Sequence, residues 1–277
     1  MADNLPMSRP HAAAPWRPTG FVGGSAVLHA AALAGVAVVP DFWPWAIGAI
    51  AANQAAILAG GLLPRSRLLG PNWTRLPRSA AARGEVALSL DDGPDPEVTP
   101  RVLEVLERHG VRATFFCIGE RATRHPGLVR AIAAAGHAVE NHSFRHRHDF
   151  ALLGPRRFLQ EIGAAQDTLA ALAGVAPRFF RAPAGLRNPF LDYALARLGL
   201  QLVSWTRRGY DTRNANAEDV LARLTRALAP GDILLLHDGH TKRSVHGAPV
   251  VLEVLPRLLD TLAGAGLRPV TLRAARD

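Results

Sequence analysis

Cysteine and lysine are almost missing from this chain of 277 residues, which has one of each. The lone Cys117 excludes an internal disulfide and any metal site built from cysteines. Its place in the apolar run Ala113-Thr114-Phe115-Phe116-Cys117-Ile118 predicts a buried structural thiol. With Lys242 the only lysine, the formal charge of +9 is carried by arginine. The arginines form no dense run and no aromatic-rich motif accompanies them, so the charge does not point to nucleic acid. It suits a protein beside an anionic membrane, or one that handles phosphate-bearing substrates. Internal repeats are absent, and the length allows one large domain or two small ones.

Long apolar runs, by contrast, are present. Residues 1–20 are polar and proline-rich and are expected to be disordered. Residues 21–63 hold two apolar runs broken by Pro40-Asp41-Phe42, each close to the length needed to cross a bilayer. Trp16, Trp43 and Trp45 suit the interface. A second run following at once disfavours a cleaved signal peptide, and the reading is a membrane helical hairpin. Arg9 and Arg17 precede it, Arg65, Arg67, Arg75 and Arg78 follow it, and the connection carries only Asp41. The positive-inside rule then puts both ends, and the domain behind them, on the cytoplasmic side of the inner membrane.

After a basic connector, residues 64–84, the pattern changes. Strand-like runs at Glu85–Leu90, Ala113–Ile118, Ala138–Asn141, Phe179–Arg181, Leu200–Trp205, Asp232–His237 and Arg268–Leu272 alternate with helical stretches. Such alternation predicts a parallel sheet, and seven repeats in so short a span predict a closed or nearly closed β/α barrel over residues 85–277. Active sites of barrels lie where strand ends converge, and unusual polar residues stand at five of these ends. Asp91-Asp92, before Gly93-Pro94, are like charges that need a cation or base between them. His142 and His146, joined to a carboxylate, make a His, His, Asp set that leaves coordination positions free. Arg181, opening Arg181-Ala182-Pro183-Ala184-Gly185, needs a carboxylate partner, and one of the paired Asp is the candidate. Trp205-Thr206-Arg207-Arg208-Gly209-Tyr210-Asp211 forms the fourth stretch. His237 ends a run of leucines, with Asp211 able to hold its imidazole.

These five stretches together resemble the motifs of the NodB-type polysaccharide deacetylases, carbohydrate esterase family 4. The match runs through Ser89-Leu90-Asp91-Asp92-Gly93-Pro94, His142 to His146, Arg181 to Gly185, Asp211, and Leu234 to His237, in the family's order. The resemblance covers Glu85 to the C-terminus and not the first eighty residues. It implies a distorted (β/α) barrel of the NodB-homology type and a divalent metal, zinc or cobalt, held by Asp92, His142 and His146. It implies Asp91 as general base steadied by Arg181, Ala184 as a backbone oxyanion donor, and His237, paired with Asp211, as general acid. The implied substrate is an N-acylated amino sugar of a glycan or glycolipid, with Trp205 at its wall.

Three departures bear on that substrate. Ala184 stands where the family often has tyrosine, Thr212 where tryptophan is common, and Arg207 and Arg208 where acid is frequent. Fewer aromatic walls and more arginine suit a phosphate-bearing glycan better than a long neutral one. Rival expectations are a periplasmic deacetylase of peptidoglycan or exported polysaccharide, and a non-enzymatic glycan- or lipid-binding protein on the same fold.

Overall fold

The computed structural model describes residues 15–276, so most of the segment 1–20 lies outside the described residues. In chain order the strands are β1 (Glu85–Asp91), β2 (Thr114–Cys117), β3 (Ala138–Asn141), β4 (Phe179–Phe180), β5 (Gln201–Leu202), β6 (Arg207–Arg208), β7 (Ile233–His237) and β8 (Arg268–Val270). All pair in parallel in the order β5-β4-β3-β2-β1-β7-β6, with β8 alongside the start of β1. This is the expected distorted barrel, left open between β5 and β6.

Alternation along β1 decides what its two faces do. Val86, Leu88 and Leu90 face the helices and pack with Val102 and Leu106 of the helix Val98–Arg108, and with Val254 and Leu258 of the helix Val250–Gly264. Ala87, Ser89 and Asp91, one residue out of phase, therefore face the barrel interior. There Ala87 joins Phe116, Phe179, Val203 and Ile233 in a second apolar cluster. The cost of burying Asp91 among them is met by pairing. Cys117 is fully buried, as expected.

The connector is more than a tether. Trp73 makes a parallel bridge to Val203, Thr206 donates its hydroxyl to the Thr74 carbonyl at 2.7 Å, and the Leu76 N–H donates to Gly231. The segment thus occupies the seam of the barrel. This also shortens the strand expected over Leu200–Trp205 to two residues, because beyond Leu202 the chain bonds to Trp73. Arg75 and Arg83 of the same segment are spent on Asp232 and Glu85.

Two apolar helices, α1 (Gly20–Val38) and α2 (Trp43–Leu62), precede the seam as an antiparallel pair. The polar residues that interrupt them face one another: Ser25 donates to Asn53 at 2.9 Å, and His29 meets Gln54 at 3.2 Å. Both ends of the pair are fastened to the domain. Trp16 donates its indole N–H to Asp192 at 2.8 Å and Thr19 its hydroxyl to the Leu68 carbonyl at 2.8 Å. At the far end a Cβ on Gly61 would collide with the Arg187 carbonyl.

Candidate active site

Asp91 and Asp92 leave the end of β1 in different directions for a backbone reason. Asp91 is still extended and points inward, whereas Asp92 adopts φ 72° and swings its carboxylate toward β3. The turn that follows packs so tightly that a Cβ on Gly93 would overlap the Asp238 carboxylate. Asp238 is itself fully buried, accepts from Thr99 at 2.6 Å, and is raised to about 7 chiefly by burial.

The inward Asp91 meets Arg181, which the end of β4 delivers into the interior. Arg181 is 1% exposed. It donates to Asp91 Oδ1 at 2.6 Å, to Ser89 at 2.8 Å and to the Ser204 carbonyl at 3.1 Å, and its guanidinium lies 4.1 Å from the Phe116 ring centroid. Only Oδ1 is committed to this arginine. Oδ2 is 3.9 Å from His142 Nε2 and faces the centre of the site.

His142 and His146 come from the loop after β3, with His146 at φ 49°. His142 Nδ1 lies 2.8 Å from the Arg181 carbonyl, which assigns the proton to Nδ1 and leaves Nε2 as a lone-pair donor. Both Nε2 atoms lie 3.2 Å from Asp92 Oδ1, a buried oxygen that accepts no hydrogen bond. The ligand atoms of Asp92, His142 and His146 all fall within 4.8 Å of one another. An orphaned carboxylate oxygen facing two imidazole nitrogens fits a divalent cation. Burial disfavours charge on Asp92, but the imidazoles of His142, His240 and His146 facing its carboxylate hold it well below the usual carboxylate range. Burial and the neighbouring His142 push His146 down to about 4, so its imidazole is neutral at pH 7, the form that can ligate a metal.

His237 stands across the site at the end of β7. Its Nδ1 lies 2.8 Å from Asp211 Oδ1, while its backbone N–H donates to Asp211 Oδ2 at 2.8 Å. Burial opposes charge on this imidazole, yet the attraction of Asp211 outweighs it and the pKa is raised.

A cavity of about 150 Å³ joins these groups, lined also by Ala184, Gly185, Trp205 and Arg208. Ala184 adopts φ 53° and ψ 6°, and its N–H makes no backbone hydrogen bond among the described residues. A larger cavity of about 510 Å³, between the Phe144–Arg147 loop and the helix Pro155–Ala173, shares none of these residues.

Three features were not evident in the sequence. His240, three residues after His237, has Nδ1 3.2 Å from Asp92 Oδ2. Arg121 donates to the Asp92 carbonyl at 3.0 Å and reaches His240. Ser89 was visible only as the first letter of the Asp-Asp motif, although its i, i+2 relation to Asp91 puts it on the same face. Arg207 and Arg208, the two arginines of the fourth stretch, do not share a face. On β6 they alternate: Arg207 pairs with Asp232 at 2.5 Å and donates to the carbonyls of Arg226 and Ala227, and only Arg208 lines the cavity.

Comparison with known proteins follows the same residues. A family profile described as polysaccharide deacetylase matches residues 78–203. A peptidoglycan-N-acetylglucosamine deacetylase of Bacillus cereus is 34% identical over 195 residues, covering 69% of this chain and 67% of that protein. A chitooligosaccharide deacetylase of Sinorhizobium fredii is 36% identical over 165 residues, covering 59% and 76% respectively. The solved structure of a family 4 carbohydrate esterase from Streptomyces lividans in complex with acetate has a TM-score of 0.61 at 36% identity, covering 67% of this chain and 91% of that one.

Proposed function

We propose that this chain, which belongs to the polysaccharide deacetylase family, is a metal-dependent amide hydrolase that removes an N-acyl group from an amino sugar of a glycan. One observation carries the reading: a carboxylate–arginine pair and an imidazole–carboxylate pair flank the Asp92, His142 and His146 cluster at the ends of one sheet. Zinc suits two imidazoles and a carboxylate. Held there, such a cation polarises the acyl carbonyl and makes water more acidic.

The chain's own groups then divide the proton work. Asp91, fixed through Oδ1 by Arg181, takes the proton of the attacking water on its free oxygen. Water adds to the acyl carbon, and in this reading the N–H of Ala184, which makes no backbone hydrogen bond among the described residues, stabilises the developing oxyanion. The carbon–nitrogen bond breaks as His237 gives its proton to the nitrogen, because an amine anion is a very poor leaving group. Free carboxylic acid and a glycan amine result. A cavity of about 150 Å³ is close to what a benzene-sized guest fills, so it takes the acylamino group while the sugar chain stays at the mouth.

The hairpin α1–α2 is read as a membrane anchor. Its two spans, Gly20–Val38 and Pro40–Leu62, have mean hydropathy 1.8 and 1.4, and few of their residues are buried within the protein. The flanking arginines favour a cytoplasm-facing domain acting on glycan held at the lipid surface. The relatives named for peptidoglycan favour a second reading, in which the domain faces outward. The test is release of acetate from N-acetylchitooligosaccharides by the metal-loaded protein, with His142→Ala as control. That variant is expected to lose bound metal and hydrolysis together while staying folded. Full metal retention with activity intact would sink the assignment.

A further inference from the structure

Arg208 is the unexplained residue of the cavity. It lies on the inward face of β6, with its guanidinium carbon 5.2 Å from the Trp205 ring and 5.1 Å from the Tyr210 ring. Its Nε is buried without a hydrogen-bond partner, and no carboxylate among the described residues lies within ion-pair distance. Other arginines nearby are matched: Arg181 to Asp91, and Arg207 and Arg75 to Asp232. Arg213, on the loop that carries Asp211, lines the same cavity and is likewise without a carboxylate partner among the described residues. The cavity's own carboxylates are already committed, Asp91 to Arg181 and Asp92 to the histidines. Two aromatic rings flank the half-buried guanidinium, its Nε is shut off from water, and the protein leaves its charge unanswered. Leaving such a nitrogen unpaired is costly unless a ligand completes it.

We propose that Arg208, assisted by Arg213, forms an anion subsite that takes a phosphate carried by the glycan next to the acylated sugar. This rests on the deacetylase reading and names its substrate class. The planar guanidinium offers two parallel N–H donors to a phosphate, and stacking on Trp205 fixes their direction before substrate arrives. The position of the hairpin is consistent with a lipid-borne source for that phosphate. The part of the cavity formed by Gly185 and Trp205 is built on the exit of α2: a Cβ on Gly185 would collide with both Pro64 and Trp205, Ser204 donates its hydroxyl to the Pro64 carbonyl, and Arg65 reaches the Thr206 carbonyl. A glycan on a lipid phosphate and a soluble sugar phosphate present the same group to Arg208.

The experiment uses the full-length, metal-loaded protein in detergent micelles, with Arg208→Gln and Arg213→Gln variants checked for folding by circular dichroism. Deacetylation is compared on neutral N-acetylchitooligosaccharide, N-acetylglucosamine 1-phosphate and polyprenyl-diphosphate-linked N-acetylglucosamine. For wild type, kcat/KM is expected to favour a phosphate-bearing substrate over the neutral one by about 10-fold or more, the range of a charged hydrogen bond, chiefly through KM. Arg208→Gln is expected to collapse that ratio toward one, and Arg213→Gln to reduce it less. Preference for both phosphate-bearing forms identifies phosphate itself as the ligand; preference for the lipid form alone assigns the phosphate to the lipid headgroup. Equal turnover of charged and neutral forms by wild type, or a ratio untouched by Arg208→Gln, overturns the subsite. Calorimetric binding of N-acetylglucosamine 1-phosphate to the same proteins is independent of turnover. Binding that depends on Arg208 without hydrolysis of any substrate defeats the deacetylase reading alone. Binding unaltered in Arg208→Gln defeats the subsite alone.

Discussion

Asp211 and His237 show how a single pair sets a pH limit. The imidazole acts only while protonated, and its raised pKa comes from Asp211 overcoming the burial penalty. Asp211→Asn removes that attraction but keeps a hydrogen-bonding side chain, so burial then dominates and the pKa falls. The alkaline limb of the kcat profile is therefore expected to move to lower pH, by about one unit for each 1.4 kcal/mol of attraction lost, and a profile with an unmoved alkaline limb would exclude His237 as the acid. The paired aspartates separate by the same kind of test. Asp91→Asn is expected to keep bound metal and lose about 10²–10⁴-fold in kcat, the usual worth of a general base, whereas Asp92→Asn is expected to lose the metal itself. Metal content by mass spectrometry, read beside kcat, distinguishes the two roles. Side-chain types and spacing made this set legible in the sequence, down to Arg181 beside one of the two carboxylates. They did not make legible which oxygen faces which partner, because that depends on Asp92 and His146 adopting left-handed backbone conformations that no residue type announces.

At the scale of elements, what could be read was what periodicity writes. β1, β2, β3 and β7 are buried along their length, and the helices between them carry apolar stripes, so alternating runs revealed both. β6 escaped because two arginines carry no strand signal; it exists because Arg207 and Arg208 bond in register to Leu234 and Leu235. The connector escaped for a related reason. Its proline and arginine suggest a tether, yet Trp73 bridges Val203 and stands 5.4 Å from the Phe179 ring. Its stability contribution is testable. Trp73→Ala removes a half-buried ring from the seam and is expected to cost about 2–3 kcal/mol, somewhat less than the 3–5 kcal/mol of a fully buried aromatic, seen as a lower urea midpoint with an unchanged slope. A midpoint within error of wild type would return the segment to the status of a tether.

At the scale of the whole molecule, the question is which solvent surrounds each part. Only Ser25 and Ala32 of α1 and Ala46, Gly60 and Gly61 of α2 are buried, leaving Val27, Leu33, Trp45, Ile47 and Leu58 more than half exposed. In the proposed anchor reading a bilayer covers the exposed apolar side chains of both helices at once. Trp16 and Thr19 fasten one end of the hairpin to the domain and Gly61 abuts it at the other, so the two ends share a side. A cleaved leader would discard α1 and strand the contacts that Trp16 and Thr19 make. The intact chain is therefore expected in the membrane fraction with an N-terminal tag retained, and a tag lost from the mature protein would overturn the hairpin. Which side the ends share is a matter of charge: Arg17 stands before α1 and Arg65 and Arg67 follow α2, against a lone Asp41 in the connection. Each retained arginine is worth about 1 kcal/mol at an anionic cytoplasmic leaflet, while Arg75 and Arg83 are already paired within the domain and add little. A fluorescent protein fused at the C-terminus is expected to be bright and an alkaline phosphatase fusion inactive. The opposite pair of results would place the site outside the cell membrane, with the polymers that the peptidoglycan relatives are named for, and would leave the site chemistry untouched.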